Sequence, residues 1–206
     1  MKLSVCICSV VSRIVSRKPL IDTLVALSGI KSYIDWSDCP PNTYFTTYKG
    51  EDVEILLYTD GKQNKVGAKR NTLLRAATGK YVSMVDDDDS VSDDYISELL
   101  KATTSDADVI TFNVAYHDNG KPPKPVYYDM NFGKDINEPT CYKRLPNHLM
   151  CFKREIAIQA GFPDISFGED AAFAKRVLPL IKTQHKIDKT LYHYLFNSKT
   201  SETQRR

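Results

Sequence analysis

No stretch of the 206-residue sequence approaches the roughly 18 consecutive apolar residues of a membrane-crossing helix, so no transmembrane segment is expected. The first apolar run is cut by Ser4, Ser9, Ser12 and Arg13, which fits an opening strand better than a secretory signal. An excess of one charge is missing too. The 28 basic and 26 acidic residues leave a formal net charge of +2, too little for the electrostatic footprint of a nucleic-acid partner. Arg13, Arg17 and Lys18, and the Arg205-Arg206 pair, read as solvated surface. The five cysteines, at 6, 8, 39, 141 and 151, form no CxxC pair and have no histidine at ligand spacing. An odd, scattered set speaks against a disulfide framework and for a cytoplasmic setting, with attachment at a membrane face left open.

What is present is ordinary in bulk and ordered in detail. With 42% hydrophobic and 26% charged residues, the chain can bury one sizeable core, and a single domain over 1–206 is expected. LSVCICSV (3–10), VEILLYTDG (53–61), KYVSMV (80–85) and DADVITFNV (106–114) are short apolar, β-branched runs. LIDTLVALSGI (20–30) and NKVGAKRNTLLRAATG (64–79) carry helical periodicity, the second with Gly79 as its stop. Strands alternating with helices of this length predict an α/β fold with a largely parallel sheet. From about 117 to 139 the chain is rich in Pro, Gly, Asn and Asp and reads as a long loop or lid.

The densest negative charge is Asp86-Asp87-Asp88-Asp89, directly after the third strand. That is the carboxyl end of a parallel sheet, where open α/β folds bind ligands. Adjacent carboxylates raise one another's pKa unless a cation or hydrogen-bond donors stabilise them. Mg or Mn suits such oxygen ligands and keeps positions for phosphate oxygens. A solvated acidic turn capping a helix near Ser92 accounts for the same charges, and the run alone does not choose between the two.

The flanks do. GAKRNTLLRAATGKYVSMVDDDDSVSDDYI resembles the central segment of family 2 glycosyltransferases, where a helix with an ARN-like core and a Gly-Tyr pair lead into a strand ending in a DxDD metal motif. The matching residues are Gly67, Lys69, Arg70, Asn71, Gly79, Tyr81 and Asp86 to Asp89. VEILLYTDGKQN resembles the family's second strand ending in DDGS, with Thr59 for the first Asp and Asp60 retained. RLPNHLMCFKREIAIQAGFPDISFGEDAAFAKRV resembles the segment ending in its ED motif, here Glu169-Asp170. The resemblance covers roughly residues 2 to 196, nearly the whole chain.

The resemblance implies a glycosyltransferase-A fold, with a Rossmann-like nucleotide-sugar half (about 1–114) continuous with an acceptor half (about 115–206). It implies an inverting transferase that uses Mn or Mg and a UDP-sugar donor, and moves the sugar to a hydroxyl of a glycan, lipid-linked or protein acceptor, with nucleic acid disfavoured by the weak charge. Carried over by position, Asp88 meets the metal and Asp86 lies toward the ribose or the metal, while Asp87 is a donor-side neighbour whose register could slip by one. Asp60 faces the uracil or ribose, Arg70 helps the pyrophosphate or buttresses the carboxylates, and Ser9 and Val10 offer backbone groups to the base. Asp170 is the candidate base, with Glu169 beside it, and His193 stands where some relatives supply a metal ligand.

Each assignment has a plainer counterpart. Asp60 suits a turn before Gly61, Glu169 and Asp170 suit the first turn of a helix, and His193 suits packing in an aromatic strand. His148, Tyr127, Tyr128 and Trp36 read as core or lid packing, with sugar stacking as the alternative. Two rival functions remain. A sugar-phosphate nucleotidylyltransferase would need a glycine-rich loop that CSVVSRIVSRKP lacks, and a non-catalytic carbohydrate or cation-binding module has no need of Glu169-Asp170.

Overall fold

A computed structural model describes residues 1–36 and 42–196 of the chain, without the side chains of residues 35 and 36. The Trp36 ring, Cys39 and the Arg205-Arg206 pair lie outside the described residues.

In chain order the elements are β1 (Leu3–Val10), α1 (Lys18–Leu27), β2 (Tyr33–Trp36), β3 (Thr43–Lys49), β4 (Val53–Asp60), α2 (Val66–Ala76), β5 (Tyr81–Asp86), β6 (Ser90–Val91) and α3 (Tyr95–Ala102). The second half adds β7 (Val109–Asp118), β8 (Lys124–Tyr128), β9 (Ile136–Asn137), β10 (Tyr142–Arg144), β11 (Cys151–Lys153), α4 (Arg154–Ala160), α5 (Glu169–Val177) and β12 (Gln184–Phe196). One sheet runs through both halves in the order β2-β3-β4-β1-β5-β11-β7-β8-β10-β9, with β12 joining β7 and β6. Its centre, β4-β1-β5, is parallel. The near-continuous apolar runs of these strands fit a sheet covered on both faces: Leu3, Val5, Cys6, Ile7, Ile55, Leu56 and Val85 are all buried.

Antiparallel strands flank this centre. The hairpin β2-β3 extends one edge, and β11 is antiparallel to both β5 and β7. The sheet is therefore mixed, with parallel pairs at its centre and again between β12 and β7 and between β10 and β8. Among the helices, α2, α4 and α5 pack as one group and α1 with α3 as another.

Two local expectations change. The second helix ends at Ala76, and Ala77 is already extended. Gly79 is required for a different reason from stopping the helix: a Cβ there would lie 2.6 Å from Ser4 Oγ and 2.7 Å from Ser4 N, so only glycine lets this turn approach β1. The 117–139 segment carries β8 and β9 where a loop was expected, with β8 between β7 and β10. Its strand signal, buried Val126 and Tyr128, alternates over too few residues to stand out among Pro122, Pro123 and Pro125. No described helix is long and apolar enough to cross a membrane, and the described cysteines are all free.

Candidate active site

The register of the parallel strands sets Val10 opposite Asp60 and Cys8 opposite Asp86. The carboxyl ends of β1, β4 and β5 therefore lie side by side. Beyond Asp86 the chain turns sharply, with Asp89 N donating to Asp86 O at 3.2 Å, and the turn divides the four carboxylates among several partners, Asp87 and Asp88 sharing Arg13.

Asp86 accepts from Arg70 Nη2 at 2.8 Å and faces His148 Nε2 at 3.4 Å. Burial raises its pKa, but the Arg70 charge and then His148 outweigh burial and hold the carboxyl well below its usual range. Asp87 is buried and accepts from Ser9 Oγ and Arg13 Nη1, both at 2.5 Å. Asp89 is buried as well, accepting from Tyr192 Oη and Leu195 N, both at 2.7 Å. Burial, then the Asp86 charge, pushes Asp89 up. Asp88 alone keeps an open carboxyl, with 44% of its side chain exposed, and Arg13 Nη1 lies 3.2 Å away. Burial raises its pKa; Arg13 opposes the rise, and Asp86 and Asp87 add to it.

The GAKRN stretch of α2 does four jobs because consecutive helical residues face different neighbours. At Gly67 a Cβ would lie 1.8 Å from Pro163 O, so glycine alone admits the 163–165 segment against the helix, and Gly67 N donates to Ile165 O at 3.0 Å. Asn71 holds the same segment, donating to Phe162 O at 2.8 Å and accepting from Phe162 N at 2.9 Å. Lys69 is buried, and its Nζ lies 3.0 Å from both Asp60 Oδ1 and Ser9 O. Arg70 lies against Phe162, 5.6 Å from the ring centroid. Burial would lower the pKa of Arg70, but Asp86 and the groups around it raise it, so its guanidinium stays charged. Arg70 Nη1 is buried without a hydrogen-bond partner among the described residues.

By clamping 162–165, α2 brings the start of α5 to the carboxylates. Glu169 lies 3.7 Å from Arg70 Nε; burial raises its pKa against the pull of Arg70. Asp170 Oδ1 accepts from Ala171 N at 2.8 Å. A cleft of about 210 Å³ is bordered by Arg70, Asp86, Asp88, Glu169, Asp170 and Tyr194. Asp170 and Tyr194 also border a second cleft of about 360 Å³, which holds Tyr116, Tyr128, Tyr142 and His148. A third, of about 680 Å³, lies on the other side of Arg13, between α1 and Asp87 to Val91.

The structure thus brings together Arg70, Asp86, Asp87, Asp88, Glu169, Asp170, Ser9 and Val10. It gives Asp60 other work. Both Asp60 oxygens are taken, Oδ1 by Lys69 and Lys62 N (3.1 Å), Oδ2 by Asn64 N (2.9 Å) and Asn64 Nδ2 (3.3 Å). A carboxylate has about four acceptor positions, so none is left for a uracil; the turn reading accounts for this residue. Ser9 O is likewise held by Lys69, and Val10 O accepts from Arg17 Nη1 at 3.4 Å. His193 is hydrogen-bonded to His117, Nδ1 to Nε2 at 3.2 Å, and borders none of the three clefts.

Arg13 and Arg17 correct the reading of that basic cluster as solvated surface. Arg13 bridges Asp87 and Asp88, and buried Arg17 donates to Ser9 Oγ at 2.6 Å. Their signal in the sequence was position, immediately after the first parallel strand. Tyr192, which accepts from Asp86 N at 3.0 Å and donates to Asp89, had no signal beyond its aromatic strand.

A divalent cation can be tested against this donor set. Among the described residues no three His, Cys, Asp or Glu side chains converge as a metal cage. Mg-type sites rely instead on one or two carboxylates plus substrate phosphates. Asp88, open and carboxylate-only, fits that arrangement; Asp86, committed to Arg70 and His148, does not.

The same architecture occurs in solved structures. S. aureus TarS 1-349 superposes with a TM-score of 0.64 at 16% identity, over 95% of this chain and 60% of that one. TarS 1-349 in complex with UDP-GlcNAc gives 0.63 at 15%, over 96% and 59%, so the chain spans about three fifths of TarS 1-349. A197 from STIV gives 0.51 at 15%, over 96% of this chain and 87% of that chain. These likenesses establish a glycosyltransferase-A-like α/β fold. No curated protein matches the sequence. The pattern of glycosyl transferase family 2, however, matches residues 44–163, from β3 through the carboxylate turn to the segment clamped by α2. The chain belongs to glycosyl transferase family 2.

Proposed function

We infer that the protein transfers a sugar from a UDP-sugar to an acceptor hydroxyl, with inversion and with a divalent cation held by Asp88. The observation that carries this reading is that Asp88 and Asp170 border one cleft, while Asp170 also borders the tyrosine-rich one. A donor group and a base then border the same small space, which Asp170 links to a second cleft for the acceptor. TarS 1-349 in complexes with UDP and UDP-GlcNAc supports UDP as the nucleotide. The second cleft draws its lining from Val114 onward, in keeping with a donor half up to about 114 and an acceptor half beyond it.

In a single displacement the acceptor oxygen attacks the anomeric carbon, the bond from that carbon to the diphosphate oxygen breaks, and the hydroxyl proton passes to Asp170. That Asp170 borders both clefts supports this role, the task of a general base. Negative charge grows on the leaving diphosphate. Arg70, whose buried Nη1 has no hydrogen-bond partner among the described residues, and Arg13 place positive charge at this end of the cleft. When bound, a divalent cation at Asp88 would neutralise the same oxygens without a proton transfer. Glu169 is placed to support Arg70. The aromatic faces of the second cleft would shield the reaction from water and seat the acceptor.

The test is a panel of sugar nucleotides with Mn, followed by nucleotide release in the absence of acceptor. Slow hydrolysis of one or more UDP-sugars, abolished by chelation, is expected. Hydrolysis that is indifferent to the base, or that survives complete removal of divalent ions, contradicts the donor or the metal assignment respectively.

A further inference from the structure

Arg13 occupies the place where a cation is wanted. Its Nη1 lies 2.5 Å from Asp87 Oδ1 and 3.2 Å from Asp88 Oδ2. The two carboxylates are not equally dependent on it. Asp87 also accepts from Ser9 Oγ, itself backed by Arg17, so it keeps a partner if Arg13 withdraws. Asp88 has Arg13 as its one charged partner among the described residues.

Arg13 stands at the border of two open spaces. It ends a single 3-10 turn, Val11–Arg13, in the connection between β1 and α1, and its side chain is 24% exposed. It borders both the cleft of about 210 Å³ and the cavity of about 680 Å³, with space on either side of its present position. A guanidinium and a divalent cation on the same carboxyl repel each other, so Asp88 cannot serve both fully. A diphosphate changes the balance: it brings new negative charge within reach of Arg13, in the fork geometry that guanidinium groups bind well.

The geometry points to Arg13 as a resident counter-ion that makes metal binding at Asp88 conditional on the nucleotide. Without nucleotide Arg13 neutralises Asp88 and the metal is held weakly. With nucleotide Arg13 turns to the phosphate oxygens, and Asp88 is released to the metal, which the same phosphates help to hold. Arg13 is then a positioning residue that couples two ligands, and the coupling is reciprocal: the factor by which UDP tightens Mn equals the factor by which Mn tightens UDP. This rests on the reading of Asp88 as the metal ligand.

The test is direct Mn binding, read from loss of the free-ion electron paramagnetic resonance signal, for the wild type, Arg13→Ala and Arg13→Lys, each without nucleotide and with saturating UDP. Without nucleotide, Arg13→Ala should bind Mn about 10-fold more tightly than the wild type, within the 5- to 150-fold span usual for coupled sites. Arg13→Lys, which keeps the positive charge, should stay near the wild type. UDP should tighten Mn strongly in the wild type and much less in Arg13→Ala. A purely structural Arg13 would lower thermal stability but would not raise metal affinity. Equal Mn affinity of wild type and Arg13→Ala without nucleotide, with the same tightening by UDP in both, overturns the inference while leaving the metal at Asp88 intact. No Mn binding by any form even with UDP overturns the metal assignment, and the inference falls with it.

Discussion

Replacing Asp170 by Asn should lower sugar transfer by roughly 100- to 10,000-fold, the usual contribution of a positioned proton acceptor, while leaving UDP-sugar affinity nearly unchanged. The side chain keeps its size, and the hydrogen bond that Oδ1 accepts from Ala171 N can be kept by the amide oxygen, so α5 should start where it does now. What is lost is the group that takes the acceptor proton. Because that interaction is made as the hydroxyl attacks, the loss should fall on turnover and not on donor binding. The comparison is steady-state transfer, or slow transfer to water, alongside titration with UDP. Near-full turnover in a folded Asp170→Asn protein moves the base elsewhere, with Glu169 first in line by position. Burial raises the pKa of Glu169, so it would serve better at higher pH.

Asp60→Asn should destabilise the protein by about 3–5 kcal/mol, the usual cost of stranding one member of a buried ion pair. Lys69 is almost fully enclosed, with 4% of its side chain exposed and Asp60 at 0%, so an amide would leave an ammonium group without its counter-charge. The Asn64 and Lys62 backbone donors that fix the 61–64 turn lose their charged acceptor as well. Urea denaturation checks this as a shift in midpoint at unchanged slope. The pH dependence has a fixed sign. Burial alone would raise the pKa of Asp60; the Asn64 N–H and Lys69 outweigh it and bring the pKa below its ordinary value. Its stabilisation is therefore full above the unfolded value of about 3.9 and is lost as pH falls through the lower folded value. The gap between wild type and Asp60→Asn should close in acid. A variant as stable as the wild type that lost only its preference for UDP over CDP would restore the contact with uracil.

How far the sequence reaches can be argued from these same residues. The parallel centre of the sheet was legible because β1, β4 and β5 are short, apolar on both faces and bounded by turn residues. The sequence therefore shows where their carboxyl ends lie. The helix carrying Lys69, Arg70 and Asn71 was legible by periodicity, and its motif by resemblance. What sequence could not show is how four adjacent aspartates divide their partners, because one tight turn sends Asp86 to Arg70, Asp87 and Asp88 to Arg13, and Asp89 to β12. It also could not separate Arg13 and Arg17 from surface charge: composition is blind to the fact that the connection after β1 folds back over the carboxylates. Asp60 misled for the opposite reason. Its place beside Gly61 fits both a ligand contact and a turn, and only the buried Lys69, nine residues on, decides between them. The strand β8 was hidden by Pro125 within it and by Pro122 and Pro123 just before it.

The central claim is that Asp88 presents a donor diphosphate with its metal. The most direct measurement is isothermal titration of UDP into the wild type and Asp88→Asn, each with Mn and after complete chelation. An amide is a poor replacement for a charged ligand to a divalent cation. The account predicts that Mn tightens UDP binding to the wild type by a large factor, and that Asp88→Asn binds UDP weakly and equally with or without Mn. Equal UDP affinity of the wild type in both conditions, or an undiminished Mn effect in Asp88→Asn, would contradict it.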